Sequence, residues 1–292
     1  MPRLPPHGRL RLPPHRRLLS TLSVLPPSPI WGTCAAAATA LPPSPQLALG
    51  LDVSGTGTGY CVSSVASGAP LEWGRLDTKG VADVCERGDR IAELISGIDE
   101  RCNAGRDARW SVGIEAFAKV FSAGRSSSAA MFGVAEAHVV TVYATYTTLG
   151  ARPQSVHPSS ARSTLRMKGG ATGDNVKLRV HERAKGGLVG TEWPAGRDGL
   201  PTDTCFDVSD AWAIAAWVIH RSRIDGVLGV EANRLALEAF EAQYKQRNAT
   251  RIGKAEARRT PRTQKRYHSE LRLKIEQQYL LKNHEEECFN FS

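Results

Sequence analysis

No aspartate or glutamate occurs before Asp52. A stretch of 51 residues with no carboxylate, five arginines (Arg3, Arg9, Arg11, Arg16, Arg17) and much Pro, Ser and Ala cannot build a charge-balanced globular surface. Its composition is that of an organellar presequence. The Arg/Leu/Ser mix points first to the mitochondrion and second to the plastid. Residues 1–45 are therefore read as a disordered presequence, with the compact fold beginning near Pro45. No run of 18 or more apolar residues is present, so no transmembrane helix and no membrane partner are expected. The six cysteines (Cys34, Cys61, Cys85, Cys102, Cys205, Cys288) include no C-x-x-C pair. That spacing argues against a zinc site and a disulfide framework, and for a reducing compartment. No internal repeat is present, and no Ser/His or Cys/His pairing suggests a covalent nucleophile.

The net charge of +9 is unevenly spread. Residues 1–51 carry +5 and residues 245–274 carry +9, eleven Lys/Arg against two Glu, while residues 275–292 carry −3. The stretch 52–244 is thus slightly acidic, at −2, and the basic character belongs to the two ends.

The apolar run Leu47 to Leu51 ends on Asp52, passes a Gly/Thr/Ser turn (Ser54 to Gly59), and resumes at Tyr60 to Val65. This predicts a buried strand, a tight turn and a return strand. Leu71 to Leu76 predicts a third strand, 82–103 a helix, and Trp110 to Glu115 a fourth strand that again ends on an acid. Residues 122–148 open with Ser-Ala-Gly-Arg-Ser-Ser-Ser and become a long apolar segment, Ala129 to Leu149, that reads as helix, although its Thr/Val/Tyr-rich end is also compatible with strand. Arg152 to His157 reads as strand. Helices are expected from Pro158, over 174–185, from Phe206 with two acids at its start, and over 231–247. Residues 248–274 are basic and poor in apolar groups, an arm or a disordered tail; 275–292 add at most a short helix. Three meandering strands followed by alternating helix and strand define an α/β class with a mixed sheet flanked by helices.

Four acids stand where acids are costly. Asp52 ends the first strand and Glu115 the fourth, and Asp207 and Asp210 share one helical face. Singly, each has an ordinary explanation: a turn aspartate, a salt-bridged strand end, and charges favoured by a helix N-terminus. Taken in order, strand ends and a helix can bring all four to one sheet edge. There they would repel unless cations bound among them. Hard oxygen donors select Mg²⁺, with Mn²⁺ able to substitute. Two such ions about 4 Å apart would clamp the attacking and leaving oxygens of a phosphodiester displacement.

Leu-Gly-Leu-Asp-Val-Ser-Gly-Thr-Gly-Thr-Gly-Tyr (49–60), Val-Gly-Ile-Glu (112–115), Ser-Ala-Ala-Met-Phe-Gly (128–133) and Asp-Val-Ser-Asp-Ala-Trp-Ala-Ile-Ala (207–215) resemble the motifs of RuvC-type Holliday junction resolvases. The resemblance covers residues 46–221 and, with the presequence, suggests a eukaryotic organellar relative. It implies an RNase H-like fold with three antiparallel strands then parallel ones, two Mg²⁺ per site, a homodimer, and paired nicks in four-way DNA junctions. It implies that Asp52, Glu115, Asp207 and Asp210 are the catalytic metal ligands. It divides the chain into presequence, catalytic domain (46–225) and a helical, basic C-terminal extension (226–292) that has no counterpart in the family. The family's wedging aromatic falls near Phe117 and Phe121, in a stretch longer than usual, with neither singled out.

Residues 152–185 carry eight Lys/Arg against Asp174 and Glu182. Such a segment beside an acidic site suits a phosphate backbone that must be steered onto metals. Arg162, Arg166, Lys168, Lys177 and Arg179 are its candidate DNA contacts, and Lys177 matches the family's lysine before the last acid pair. Arg125 and Ser126 are candidates where a Ser-rich stretch opens a helix, against ordinary N-capping. The first alternative is another RNase H-like nuclease, cutting RNA or an RNA–DNA hybrid, because the acid chemistry is shared. An actin-like ATPase or sugar kinase also begins with strand, Asp and Gly/Thr turn, but no late glycine-rich phosphate loop is present. A non-catalytic junction binder would gain nothing from four repelling carboxylates beside DNA.

Overall fold

The computed structural model describes residues 46–104, 107–117, 128–165 and 174–284. Residues 1–45, read above as a presequence, and the candidate contacts Phe121, Arg125, Ser126, Arg166 and Lys168 lie outside the described residues.

Five strands form one sheet: β1 (Gln46–Val53), β2 (Gly57–Ser64), β3 (Pro70–Asp77), β4 (Arg109–Glu115) and β5 (Gln154–Val156). Their order is β3-β2-β1-β4-β5. β1–β2 and β2–β3 pair antiparallel, whereas β1–β4 and β4–β5 pair parallel. This is the RNase H-like mixed sheet that the motifs imply. The return strand starts at Gly57, earlier than expected, so Gly57 and Gly59 lie within β2 and the turn shrinks to Ser54–Thr56. Ser54 holds that turn, its hydroxyl bonded to the Gly57 carbonyl at 3.0 Å.

Alternation along β1 separates two faces. Leu47, Leu49 and Leu51 join Val62, Val112 and Ile114 in a core against helix α1 (Val84–Asn103), through Ile91, Ile95 and Ile98. Asp83 caps α1, accepting from the amides of Cys85 and Glu86. Helix α2 (Ser128–Leu149) packs on α1 from the same side. Its Thr-rich end is fully helical because Thr141 and Thr145 donate to the carbonyls of Ala137 and Thr141, four residues back, leaving no buried hydroxyl unpaired. Short α3 (Pro158–Thr164) is capped by His157, and α4 (Asp174–Gly187) precedes an irregular connection closed by an Ala195–Pro201 bridge.

The opposite face carries α5 (Asp203–Gly229). The small residues of β1 and β4 point here, and the fit is tight. A Cβ on Gly50 would come within 2.2 Å of the Ala211 carbonyl oxygen, and one on Gly113 within 2.6 Å of Val218. Asp207, Ala211, Ala215 and Val218 form one helical stripe that lies directly on this glycine patch.

Beyond α5 come α6 (Glu231–Arg247), α7 (Ala249–Ala257) and α8 (Pro261–Asn283). The stretch 248–274 is thus helical and not an unstructured arm. Leu271, Ile275, Tyr279 and Leu280 are buried, an i, i+4, i+8 pattern that crosses the boundary drawn at residue 275. Tyr279 and Leu280 pack against Ile224 and Val227 of α5. No helix among the described residues is long and apolar enough to cross a membrane.

Candidate active site

The register Leu51↔Ile114 sets Asp52 beside Glu115 on neighbouring parallel strands. Each lies one residue past a core-facing partner, so both point to the α5 face, at the C-terminal ends of their strands. On the other side Asp52 pairs with Gly59, where a Cβ would come within 2.2 Å of the Asp207 carbonyl oxygen. A bare strand backbone therefore lets the acid-bearing turns of α5 settle against Asp52. The two helix acids were expected at the helix start, but α5 begins at Asp203, so they sit in its second and third turns. The dipole of a helix end acts only within its first turn and does not explain them there.

The electrostatics follow from this convergence. Asp52 is only 8% exposed. Burial, a hydrogen bond with Glu115 and the charges of Glu115, Asp210 and Asp207 push its carboxyl well above the usual range. Two carboxyl groups can share a hydrogen bond only if a proton sits between them, which favours the protonated form of Asp52. Burial and Glu115 push Asp210 up to about 6, while Arg162 and Lys177 pull it back. Burial raises Asp207, opposed first by Arg75 and then by Lys177. Three of the four acids are thus held above the usual carboxylate range, chiefly by burial.

Arg75 of β3 was not anticipated. Its Nε donates to Asp207 Oδ2 at 2.7 Å, and its Nη2 to Thr56 Oγ1 at 3.1 Å. The signal for it is weak, since one arginine near the end of a hairpin strand has many ordinary roles. His138 of α2 was also missed. Its Nε2 lies 3.1 Å from the Glu115 carbonyl oxygen and its ring 6.1 Å from that of Phe117, tying α2 to the acid-bearing end of β4. A third is His181 of α4, buried against Trp193 and Phe206 with its Nδ1 3.0 Å from Ser209 Oγ. The Ser209 hydroxyl donates to the Cys205 carbonyl, so the imidazole N–H is the donor to Ser209. His181 thereby fixes the turn of α5 between the two acids.

Of the expected DNA contacts, Arg162 and Lys177 face the acids closely enough to lower Asp210. Lys177, exposed, has its Nζ 5.7 Å from the centre of the Phe206 ring. Arg179 is exposed on α4, and Phe117 is half-buried beside His138.

Among the described residues, no three carboxylate, imidazole or thiol groups stand close enough to coordinate one ion as the side chains lie. The donor set nevertheless has the chemistry that a hard divalent cation requires: anionic oxygens from four acids whose mutual repulsion is only partly relieved by Arg75, Arg162 and Lys177. Asp207 would have to leave Arg75 to join such a site.

No family model matches the chain, and no curated protein matches it. Among solved structures it is similar to Thermus thermophilus RuvC in complex with a Holliday junction substrate, at 18% identity and a TM-score of 0.41, covering 61% of this chain and 95% of that one. It is similar also to a second structure of Thermus thermophilus RuvC, at 18% identity and a TM-score of 0.41, covering 61% of this chain and 96% of that one. A third likeness, to the inorganic polyphosphate/ATP-glucomannokinase of an Arthrobacter strain, has 20% identity and a TM-score of 0.27 over 44% of this chain and 50% of that one.

Proposed function

We propose that the chain is a metal-dependent endonuclease that makes paired nicks in four-way DNA junctions during organellar DNA recombination and repair. The observation that carries this reading is the meeting of Asp52, Glu115, Asp207 and Asp210 at one sheet edge, with the positive charge of Arg162 and Lys177 beside them. Asp52, Glu115, Asp207 and Asp210 would hold two Mg²⁺, which supply an activated water and stabilise the departing 3′ oxygen. The chain's own residues do the rest. Asp52 and Glu115 sit on rigid strands and fix one side of the site. Asp207 and Asp210 ride on α5, held by Arg75 and by the His181–Ser209 contact. Arg162 and Lys177 would take the phosphates that flank the scissile bond. No protein nucleophile is required.

Symmetric cutting needs two sites related by a two-fold axis. The exposed apolar stripe of α2, Phe132, Val139 and Tyr143, supports a homodimer through that helix. The composition of residues 1–45 supports a mitochondrial location, with the plastid second; fusing that segment to a fluorescent reporter tests it. The catalytic experiment compares the chain with its Asp207→Asn variant in Mg²⁺ on a mobile four-way junction, linear duplex, RNA–DNA hybrid and single strand. Symmetric nicks in the junction alone, lost in the variant by at least ~10³-fold, are expected. Cleavage of the hybrid instead would assign an RNase H-type activity. Junction binding with no cleavage in Mg²⁺ or Mn²⁺ would overturn the enzyme.

A further inference from the structure

The C-terminal extension carries a second charged surface, built from none of the elements that hold the acids. It docks through Tyr279 and Leu280 on Ile224 and Val227 of α5, about 21–26 Å along the helix axis from Asp210 at 1.5 Å per residue. Three basic side chains of this extension are neutralised locally. Arg234 pairs with Glu231, Lys245 with Glu241, and Arg266 with Glu270. Others gather at the elbow between α7 and α8. Arg251, Lys254, Arg258 and Lys265 are all exposed there, and none pairs with a carboxylate among the described residues. The nearest acids are engaged elsewhere, Glu256 by His268 and Glu270 by Arg266. Arg251, Lys254 and Arg258 follow an i, i+3, i+7 spacing, which puts them on one face over about 10 Å of helix axis. That length matches roughly three phosphates of one strand, at 3.4 Å of axial rise each.

We infer that this elbow is a binding surface for the phosphate backbone of duplex DNA, built from residues other than those of the acidic site. Two neighbouring chemistries fit less well. Single strands are held by exposed aromatic platforms. The two tyrosines here are half-buried and occupied: Tyr267 lies 4.1 Å beneath the Arg259 guanidinium, and the Tyr244 hydroxyl accepts from Arg251. An anionic bilayer is gripped by basic residues bordered by apolar ones that insert. Between residues 249 and 272 no large apolar side chain is exposed among the described residues. What remains is fixed, sequence-independent positive charge on a helical scaffold, the pattern that positions a duplex without reading it. The bland competitor is that Lys254 and Arg258, at the end of α7, merely favour its dipole.

The experiment uses the full chain and a four-fold variant, Arg251→Gln/Lys254→Gln/Arg258→Gln/Lys265→Gln. Affinity for a linear DNA duplex is measured by anisotropy over a range of salt concentrations, together with thermal stability and binding to phosphatidylserine vesicles. The expected result is a slope of log affinity against log salt that falls in magnitude by about 3–4, since each phosphate contact contributes about 0.9, with thermal stability unchanged. An unchanged slope overturns the inference. So does lowered thermal stability with the same slope, which assigns these residues to helix stabilisation, and so does selective loss of vesicle binding. The inference does not depend on the catalytic proposal: a chain that cuts nothing yet shows the reduced slope leaves it standing, and one that nicks junctions with the slope intact removes it alone.

Discussion

Arg75 Nε donates to Asp207 Oδ2 at 2.7 Å, tying the third strand of the sheet to the helix that carries two of the four acids. Both side chains are largely buried, 13% and 14% exposed, so the ion pair is only weakly screened. The other cations acting on the acids, Lys177 and Arg162, do so without a hydrogen bond to them. Arg75 is therefore the group that allows Asp207 to approach Asp52 and Asp210 in the absence of metal.

Removing that guanidinium should leave the acids to repel. Arg75→Ala is expected to lose about 1–3 kcal/mol of stability without metal, between the values of exposed and fully buried pairs. Saturating Mg²⁺ should restore most of it, because an ion among the carboxylates replaces the lost charge. Urea denaturation of both proteins, with and without Mg²⁺, measures this. Equal stability of the two proteins without metal would refute the role given to Arg75.

The order of strands and the four acids were legible because each is local. An apolar run that ends on an acid can be read from a few residues, as at Asp52 and Glu115, and the acid pair on α5 is a three-residue spacing. What was not legible depends on contacts between distant elements. Gly57 and Gly59 read as a turn, since glycine is the usual turn residue. They proved to be strand: at Gly59 the helix backbone needs bare sheet beneath it, and at Gly57 the Arg75 guanidinium lies where a Cβ would point. Arg75, His138 and His181 act on partners 132, 23 and 28 residues away, and nothing adjacent to them announces those partners. The helix α8 was hidden by its charge. Its apolar stripe, Leu271 to Leu280, is narrow and straddles the place where the basic composition ends.

The glycine patch makes a sharp prediction. Gly50→Ala would drive its Cβ into the Ala211 carbonyl and the Ala215 amide, at 2.2 and 2.4 Å. Backbone cannot rotate aside as a side chain can, so α5 must lift from the sheet. The expected costs are about 2–3 kcal/mol of stability and roughly 10²-fold in nicking rate, since a displacement of about 1 Å at the acids suffices for that. Junction affinity should change little. Thermal denaturation and single-turnover kinetics test this; wild-type values in both would mean that the sheet and helix are not in such close contact.

His181 predicts a pH dependence whose sign is fixed by burial. Desolvation holds its imidazole below the ordinary value of 6.5, reinforced by Lys185 and opposed by Glu182. The unfolded chain then binds the proton more readily than the folded one. The stability that the neutral ring contributes is present above about pH 6.5 and is lost as pH falls through that value toward the lower folded one. Asp210, pushed up to about 6, works in the opposite direction over the same interval. It does so equally in a His181→Gln variant, so the difference between the two proteins isolates the histidine. Melting temperatures from pH 8 to pH 5 should converge as the pH falls, with wild type higher at the alkaline end. A constant gap across the range would show that His181 does not titrate with folding.

The exposed stripe of α2 bears on symmetric cutting. Phe132, Val139 and Tyr143, 69%, 66% and 69% exposed, recur at spacings of seven and four and so fall within a narrow arc of the helix. The opposite side of the same helix is closed by Ala137, Thr141, Ala144 and Thr145, all buried. One helix thus carries two faces, and among the described residues only one is covered by its own chain. In a two-fold interface each substitution counts twice. Placing a charge at Tyr143 should cost about 1.5 kcal/mol per copy, so roughly 3 kcal/mol per dimer and more than about 100-fold in the dissociation constant. Tyr143→Glu is therefore expected to sediment as a monomer at concentrations where the unaltered chain is a dimer. It should keep its fold and its Mg²⁺ binding, because the stripe lies outside the core and holds none of the four acids. On a four-way junction it should give single nicks, with paired incision reduced at least ~10-fold. Sedimentation velocity and a cruciform-plasmid assay, which separates nicked from linear product, read the two effects independently. Dimeric Tyr143→Glu would move the two-fold axis elsewhere, and a monomer that still cuts both strands in concert would remove the need for one.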